Sequence, residues 1–433
     1  MHTQWCKPIR PGWLTLWIVG LLGGGCICGE ARGEAVAFTG QDSVEVVLAL
    51  DEPLVNGRQA AAGQHELVRV PGVGAGLLRV SRREIDLRWE WAEGVGGPTS
   101  RVLLPQLPAG EALTLVWSWD AQAGRMVEYV GGVPQRDPDT AFEPWPFPRG
   151  VTAAVQPGSV DSGAPVTVVS ARRTSDAPDA ERTVDPAVQR LLTTRAQPAA
   201  LADVLARRGE LLFAEDFDDP GPAGDPLPGW VLEGPVVATR EPDGLVLRSS
   251  RPDAQRPEHG HVVIWAPVTL PDRFVAQWDF QVRSEHGLAI VFFAIHPNRP
   301  GIRDIFDPAM PPRDGAFGSY VGEALDGYHI SYYANTPFNP DRGLANLRKN
   351  AGMLLMASGQ LGHPQPRQTH RITLIHDDPR IQLWRDDQCL IDAVDDDPAR
   401  FGLPHDGGRF GLRQMQWTTA RYDNLRIHAL GPE

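Results

Sequence analysis

Two short segments of this 433-residue chain concentrate side chains that could do chemistry. In Tyr328-His329-Ile330-Ser331-Tyr332-Tyr333, strand alternation sends His329, Ser331 and Tyr333 one way and Tyr328, Ile330 and Tyr332 the other. The set holding Ile330 reads as the packed side, which leaves His329 and Tyr333 facing a cleft, where either could act as a base. Ordinary half-buried sheet residues account for the same types equally well. Asn346-Leu347-Arg348-Lys349-Asn350 reads as a polar loop cluster ahead of an apolar run. Asn donates and accepts, Arg forks onto carboxylates, and Lys is a rotatable point charge, a set that could grip a uronate or a sulfated sugar. Lys349 and Lys7 are the only lysines; all other basic residues are arginine. Either coding bias or a need for a compact ammonium at Lys349 explains this. His329, Tyr333 and Lys349 are therefore the catalytic candidates, and Arg348, Asn346 and Asn350 the binding candidates.

A carboxylate pair alternating along one strand, as a sandwich glycosidase would carry, is missing from the second half. Glu84, Asp86 and Glu90 share a face in the first half, but their spacing is wrong and Arg88 interrupts them, so they read as a solvated strand face. Carboxylates on separate loops stay open. No His-x-His or His-x3-His pair occurs, and three of the four cysteines (Cys6, Cys26, Cys28, Cys389) fall in the first 28 residues, which points to no zinc site. No cofactor is expected. The clusters at Asp377, Asp378, Asp386, Asp387, Asp395, Asp396 and Asp397 would suit calcium, with surface turns the simpler account. A net charge of −13 excludes a nucleic-acid partner of the usual basic kind.

The elements that must position these groups are strands. Glu84 to Trp91 alternates, with Ile85, Leu87, Trp89 and Trp91 on one face. Segments 113–119 and 125–130 flank a turn in the first half. In the second, 260–265, 274–282, 288–295, 328–333, 370–376, 380–385, 409–414 and 422–428 are strand-like. Between the halves, residues 171–209 read as a linker with helices at 184–192 and 198–207. The fold class is all-β, with two tandem sandwiches at 36–170 and 210–433. Lys7 and Arg10 precede an apolar run from Trp13 to Cys28 and small residues, the pattern of a signal peptide over 1–31. The run falls short of the ~20 residues of a membrane span. Gly23-Gly24-Gly25-Cys26 is a degenerate lipidation site, so a secreted, periplasmic or cell-surface location is expected, with a lipid anchor at Cys26 as a variant of it.

Six ordered motifs carry a resemblance. They are Gly260-His261-Val262-Val263-Ile264-Trp265, the run His286 to Phe293, Ile305-Phe306-Asp307-Pro308, Tyr328 to Tyr333, Asn346 to Asn350, and Gly411-Leu412-Arg413-Gln414-Met415. Over residues 211–427 the chain resembles the YesU-like family, concanavalin-like jelly-roll proteins of unassigned function often linked to polysaccharide breakdown. The first half has only a laminin-G-like outline. The resemblance adds His261 and Arg413 to the binding candidates, and Trp265 reads as core. It implies a carbohydrate partner, reached through one of two functions. The first is a uronate lyase or hydrolase working in the second sandwich. The second is a noncatalytic glycan-binding protein in which Trp145 and Phe147 stack on the sugar.

Overall fold

The computed structural model describes residues 35–51, 62–98, 100–104, 110, 112–135, 144–147, 151–158, 166–174, 182, 185, 201–218, 225–336, 344–360 and 367–432. The leader expected over residues 1–31, with Cys26, and all of the helix expected at 184–192 but Asp185 lie outside the described residues.

The first sandwich faces two five-stranded antiparallel sheets. One runs Gln156–Pro157, Gly63–Val70, Gly74–Val80, Ile85–Trp91, Ser100–Leu103; the other Val166–Thr174, Gln41–Leu50, Ala112–Asp120, Arg125–Val130, Val133–Pro134. Its core is aromatic: the Trp89 ring lies 5.6 Å from Trp117 and 5.3 Å from Trp119. Ile85, Leu87 and Trp89 enter that core as alternation requires. The opposite face is solvated only in part: Glu90 is exposed and Glu84 and Arg88 are half-buried, but Asp86 is fully buried and accepts from Arg88 Nε at 2.5 Å, which corrects the sequence reading at that residue. Trp145 and Phe147, the rings expected to stack on a sugar, are half-buried. They fold back over the core, with centroids 5.7 Å from Trp91 and 6.3 Å from Trp119 respectively.

A short helix, Leu201–Ala206, precedes the second sandwich. One of its sheets runs Val236–Glu241, Gly244–Ser249, Ala420–Leu430, Arg273–Val282, Thr369–Asp377, Arg380–Arg385, Gln388–Val394, and Arg208–Glu215 also pairs with Ala420–Leu430. The other has seven strands: Val231–Glu233, Val262–Leu270, Gly408–Gln414, Gly287–Pro297, Leu325–Asn335, Leu344–Asn350, Leu354–Gln360. All pairings are antiparallel. Trp278, Phe280, Phe410, Tyr328 and Tyr422 fill the space between the sheets. The run Ile290 to Ile295 is apolar without alternation because both its faces are covered. The inner face meets the other sheet. The outer face meets the 298–324 segment, whose Ile305, Met310 and Tyr320 pack on Trp265 and Phe292 in a second core. Gly411 makes this possible, since a Cβ there would lie 2.5 Å from the Trp265 ring.

Candidate functional site

Cross-strand register sets two rows of side chains across the outer face of the seven-stranded sheet. Val263, Arg413, Ile290, Ser331, Asn346 and Ser358 are successive partners in one; Trp265, Gly411, Phe292, His329, Arg348 and Leu355 in the next. The apolar ends of both rows lie under the 298–324 segment, so the polar groups collect toward the later strands. Asn346 Oδ1 accepts from Ser358 Oγ at 2.8 Å. Asn350 Nδ2 donates to the Tyr320 carbonyl at 3.2 Å, which ties the strand to the covering segment.

The segment expected as a loop is thus the strand Leu344–Asn350, and alternation splits its cluster. Asn346, Arg348 and Asn350 take the outer face. Lys349 takes the inner one, so its assignment alongside His329 is corrected. Lys349 Nζ donates to Asp395 Oδ2 at 2.5 Å and to the Gly402 and Leu403 carbonyls at 3.1 and 2.6 Å. Tyr328 OH donates to the same Asp395 oxygen at 2.5 Å. The pair is buried, which gives Lys349 a structural role. Tyr333 is corrected too. A bulge places Ala289 opposite Tyr333 and Ile290 opposite Ser331, so Tyr332 and Tyr333 both join the inter-sheet core.

Arg348 meets the first sandwich. Its Nη2 donates to Glu84 at 2.7 Å, its Nη1 to the Met353 carbonyl at 2.9 Å, and Leu355 N donates to the Arg83 carbonyl at 2.7 Å. The turn between Gly74–Val80 and Ile85–Trp91 therefore docks on this face and neutralises Arg348 there. Burial holds the Arg348 guanidinium down to about 10, with Arg83 adding to it, so it is cationic at neutral pH.

His261 and Arg413, on neighbouring strands, meet directly: Arg413 Nη2 lies 2.5 Å from His261 Nδ1. Burial, then the Arg413 charge, pushes His261 down to about 3. The neutral ring accepts through Nδ1, which leaves its proton on Nε2. The Arg413 guanidinium sits 4.4 Å from the Phe317 ring centroid. Phe317 also meets the His329 ring edge-on at 5.7 Å. Burial pushes His329 well below its ordinary value; the Arg348 and Arg413 charges add, and Asn350 opposes. His261 Nε2, His329 Nδ1, Arg413 Nε and Gln416 Oε1 are buried polar atoms that hold no partner among the described residues. Glu233, by contrast, is fully engaged: Trp265 Nε1 and Tyr320 OH donate to it at 3.0 and 2.8 Å, and Arg313 Nη2 at 2.7 Å.

Glu84, Glu233, Tyr320 and Asp395 were missed in the sequence as members or supports of this region. Only Glu84, Asp86 and Glu90 gave a signal, their shared strand face. Asp395 was hidden in an acidic run that the structure distributes among protein partners: Asp377 pairs with Arg273, Asp386 with His370 and Asp395 with Lys349. Among the described residues no group of three His, Cys, Asp or Glu gathers that could hold a metal ion.

Four histidines in this sandwich share the downward shift. Burial is the main cause for His261 and His405, each at about 3, for His376 at about 4, and for His329. Each folded value lies below the ordinary ~6.5, so between the two the unfolded chain binds more protons. Their stability contribution is complete above that ordinary value and is lost as pH falls through and below it. One such histidine costs about 1.4 kcal/mol by about pH 5.5. The unfolding midpoint is expected to be level from about pH 7 to 8 and to fall steeply from about pH 6.5 to 5, with a linkage slope of several protons. A flat midpoint over that lower range contradicts the neutral assignment.

Fold and site together define a jelly-roll β-sandwich with a polar, aromatic-lined sheet face. The family described as Domain of unknown function (DUF1961) matches residues 210–427, half of the chain, and the chain belongs to that family. It is 30% identical over 206 residues to the Uncharacterized protein YesU of Bacillus subtilis (strain 168), a match spanning 46% of this chain and 88% of that one. Among solved structures it is similar to a protein of unknown function with a galectin-like fold from Bacillus subtilis, at 26% identity and TM-score 0.45, over 52% of this chain and 99% of that one. A carbohydrate binding module from Bacillus subtilis aligns at 17% identity and TM-score 0.31, over 47% and 97% of the two chains.

Proposed function

We propose that this chain is a glycan-binding protein whose sugar site is the outer face of the seven-stranded sheet. One observation carries the reading: Arg413, His261 and His329 bring buried polar atoms without protein partners to this face, beside the half-buried Phe317 ring. Sugars need planar donors and acceptors next to an apolar surface, and a rigid sheet presents both at fixed spacing. Buried polar atoms are ordinarily satisfied, so a concentration of unsatisfied ones on one face favours a ligand there.

Binding without cleavage is favoured over a lyase or hydrolase. Tyr333 lies in the core and Lys349 on the inner side. Glu233, the sheet carboxylate that the covering segment grips, is occupied by three donors. On this face His261 Nδ1 is spent on Arg413 and Glu84 on Arg348, so His329, with its Nδ1 unpartnered among the described residues, has no free acid or base working with it.

The test is a panel of neutral, uronate and sulfated oligosaccharides mixed with the full chain. Melting temperature would be followed together with reducing ends and the ultraviolet absorbance of unsaturated uronates. The expected result is a ligand-dependent rise in melting temperature with both product signals silent. Product formation, or no rise with any glycan, overturns the proposal.

A further inference from the structure

We propose that Arg413 and His261 form a receptor for the carboxylate of an acidic sugar, an inference that rests on the glycan-binding reading and names its ligand class. The argument begins with charge. Arg413 is 1% exposed, and a guanidinium stays ionised in proteins. A buried cation without an anion is costly. The neighbouring buried cations each have one: Arg313 has Glu233, Arg348 has Glu84, and Lys349 has Asp395. Arg413 has no carboxylate among the described residues. Its side-chain partner is a neutral imidazole.

Donor geometry points the same way. His261 spends Nδ1 on Arg413 and so directs an N–H from Nε2, which has no protein partner. Arg413 Nε–H has none either. Phe317, 4.4 Å beneath the guanidinium, fixes its plane. Gly315, in the left-handed region at φ +93°, brings the covering segment so close to the His261 carbonyl that a Cβ there would lie 2.2 Å from it. His261 is thereby confined from its backbone outward. The pair thus offers only donors, from a planar fork and a ring, around one positive charge. That suits a planar oxyanion better than a hydroxyl, which must also donate. The bound carboxylate would supply the missing anion.

The test compares trisaccharides of galacturonate, mannuronate and guluronate with their methyl esters, with sulfated galactan fragments and with neutral cellotriose. Each is titrated calorimetrically into the full chain and its Arg413→Met variant. At least one uronate is expected to bind, its ester about 30-fold more weakly, with affinity falling about 100-fold in the variant. The unliganded variant is expected to melt at or above the wild-type temperature, because it loses an unpaired buried charge. A structural role predicts the opposite, and a fall of more than about 5 °C overturns the inference. Equal binding of acid and ester by the wild type overturns it whatever the variant does, as does preference for the sulfated fragments. Binding of cellotriose alone overturns the carboxylate receptor but leaves the glycan-binding reading standing. No binding by any probe overturns both.

Discussion

Replacing Asp395 by alanine is expected to destabilise the folded chain by about 3–5 kcal/mol, the usual cost of orphaning one member of a buried ion pair. Asp395 is 1% exposed and its Oδ2 accepts hydrogen bonds from Lys349 Nζ and Tyr328 OH, both at 2.5 Å. It also fastens the end of Gln388–Val394 in one sheet to Leu344–Asn350 in the other. With Asp395 gone, the Lys349 ammonium keeps two carbonyls but no anion, and the Tyr328 hydroxyl loses its acceptor. Lys349→Met in the same chain is expected to recover most of the loss, because it removes the stranded charge at similar volume. Urea unfolding of both single variants and the double variant measures this. Additive single effects would mean that the two side chains do not act as a pair.

Glu233→Ala is expected to cost about 3 kcal/mol or more, and to do so at the site itself. Three donors converge on Glu233 from the sheet and the covering segment: Trp265 Nε1, Tyr320 OH and the Arg313 guanidinium. Deleting it leaves the Arg313 charge, only 6% exposed, beside a sheet face that already holds Arg413. The 298–324 segment should then loosen. Arg303 is exposed on it and is not followed by proline, so limited trypsin digestion would show faster cleavage there while the first sandwich persists. Unchanged cleavage together with unchanged stability would refute the role given to Glu233 in holding the segment down.

Much of the fold was legible because apolar alternation is local. The strand Arg380–Arg385 is bounded as its pattern indicates, and Ile85, Leu87 and Trp89 enter the core that their spacing implies. The strand Leu344–Asn350 was not legible. Its polar composition resembles a loop, and pairing with Leu325–Asn335 and Leu354–Gln360 overrides that composition. The same error merged Arg348 and Lys349 into one cluster, although a strand sends them to opposite faces. Tyr333 failed for another local reason, since one inserted residue reverses every orientation beyond it. The partners of the candidate site were hidden by distance along the chain. Glu84 reaches Arg348 across 264 residues and Glu233 reaches Arg313 across 80, separations over which sequence periodicity carries no information. His261 and Arg413 entered only through the six-motif resemblance. Their pairing comes from the register of Val262–Leu270 on Gly408–Gln414.

Amide hydrogen exchange of the full chain, with and without the oligosaccharide that most raises its melting temperature, tests the central claim most directly. Protection is expected in Val262–Leu270, Gly408–Gln414 and Leu325–Asn335, the strands that carry His261, Arg413 and His329, and in the 298–324 segment above them. Protection confined to the strands of the first sandwich, or none despite binding, would contradict the placement of the sugar on this sheet face.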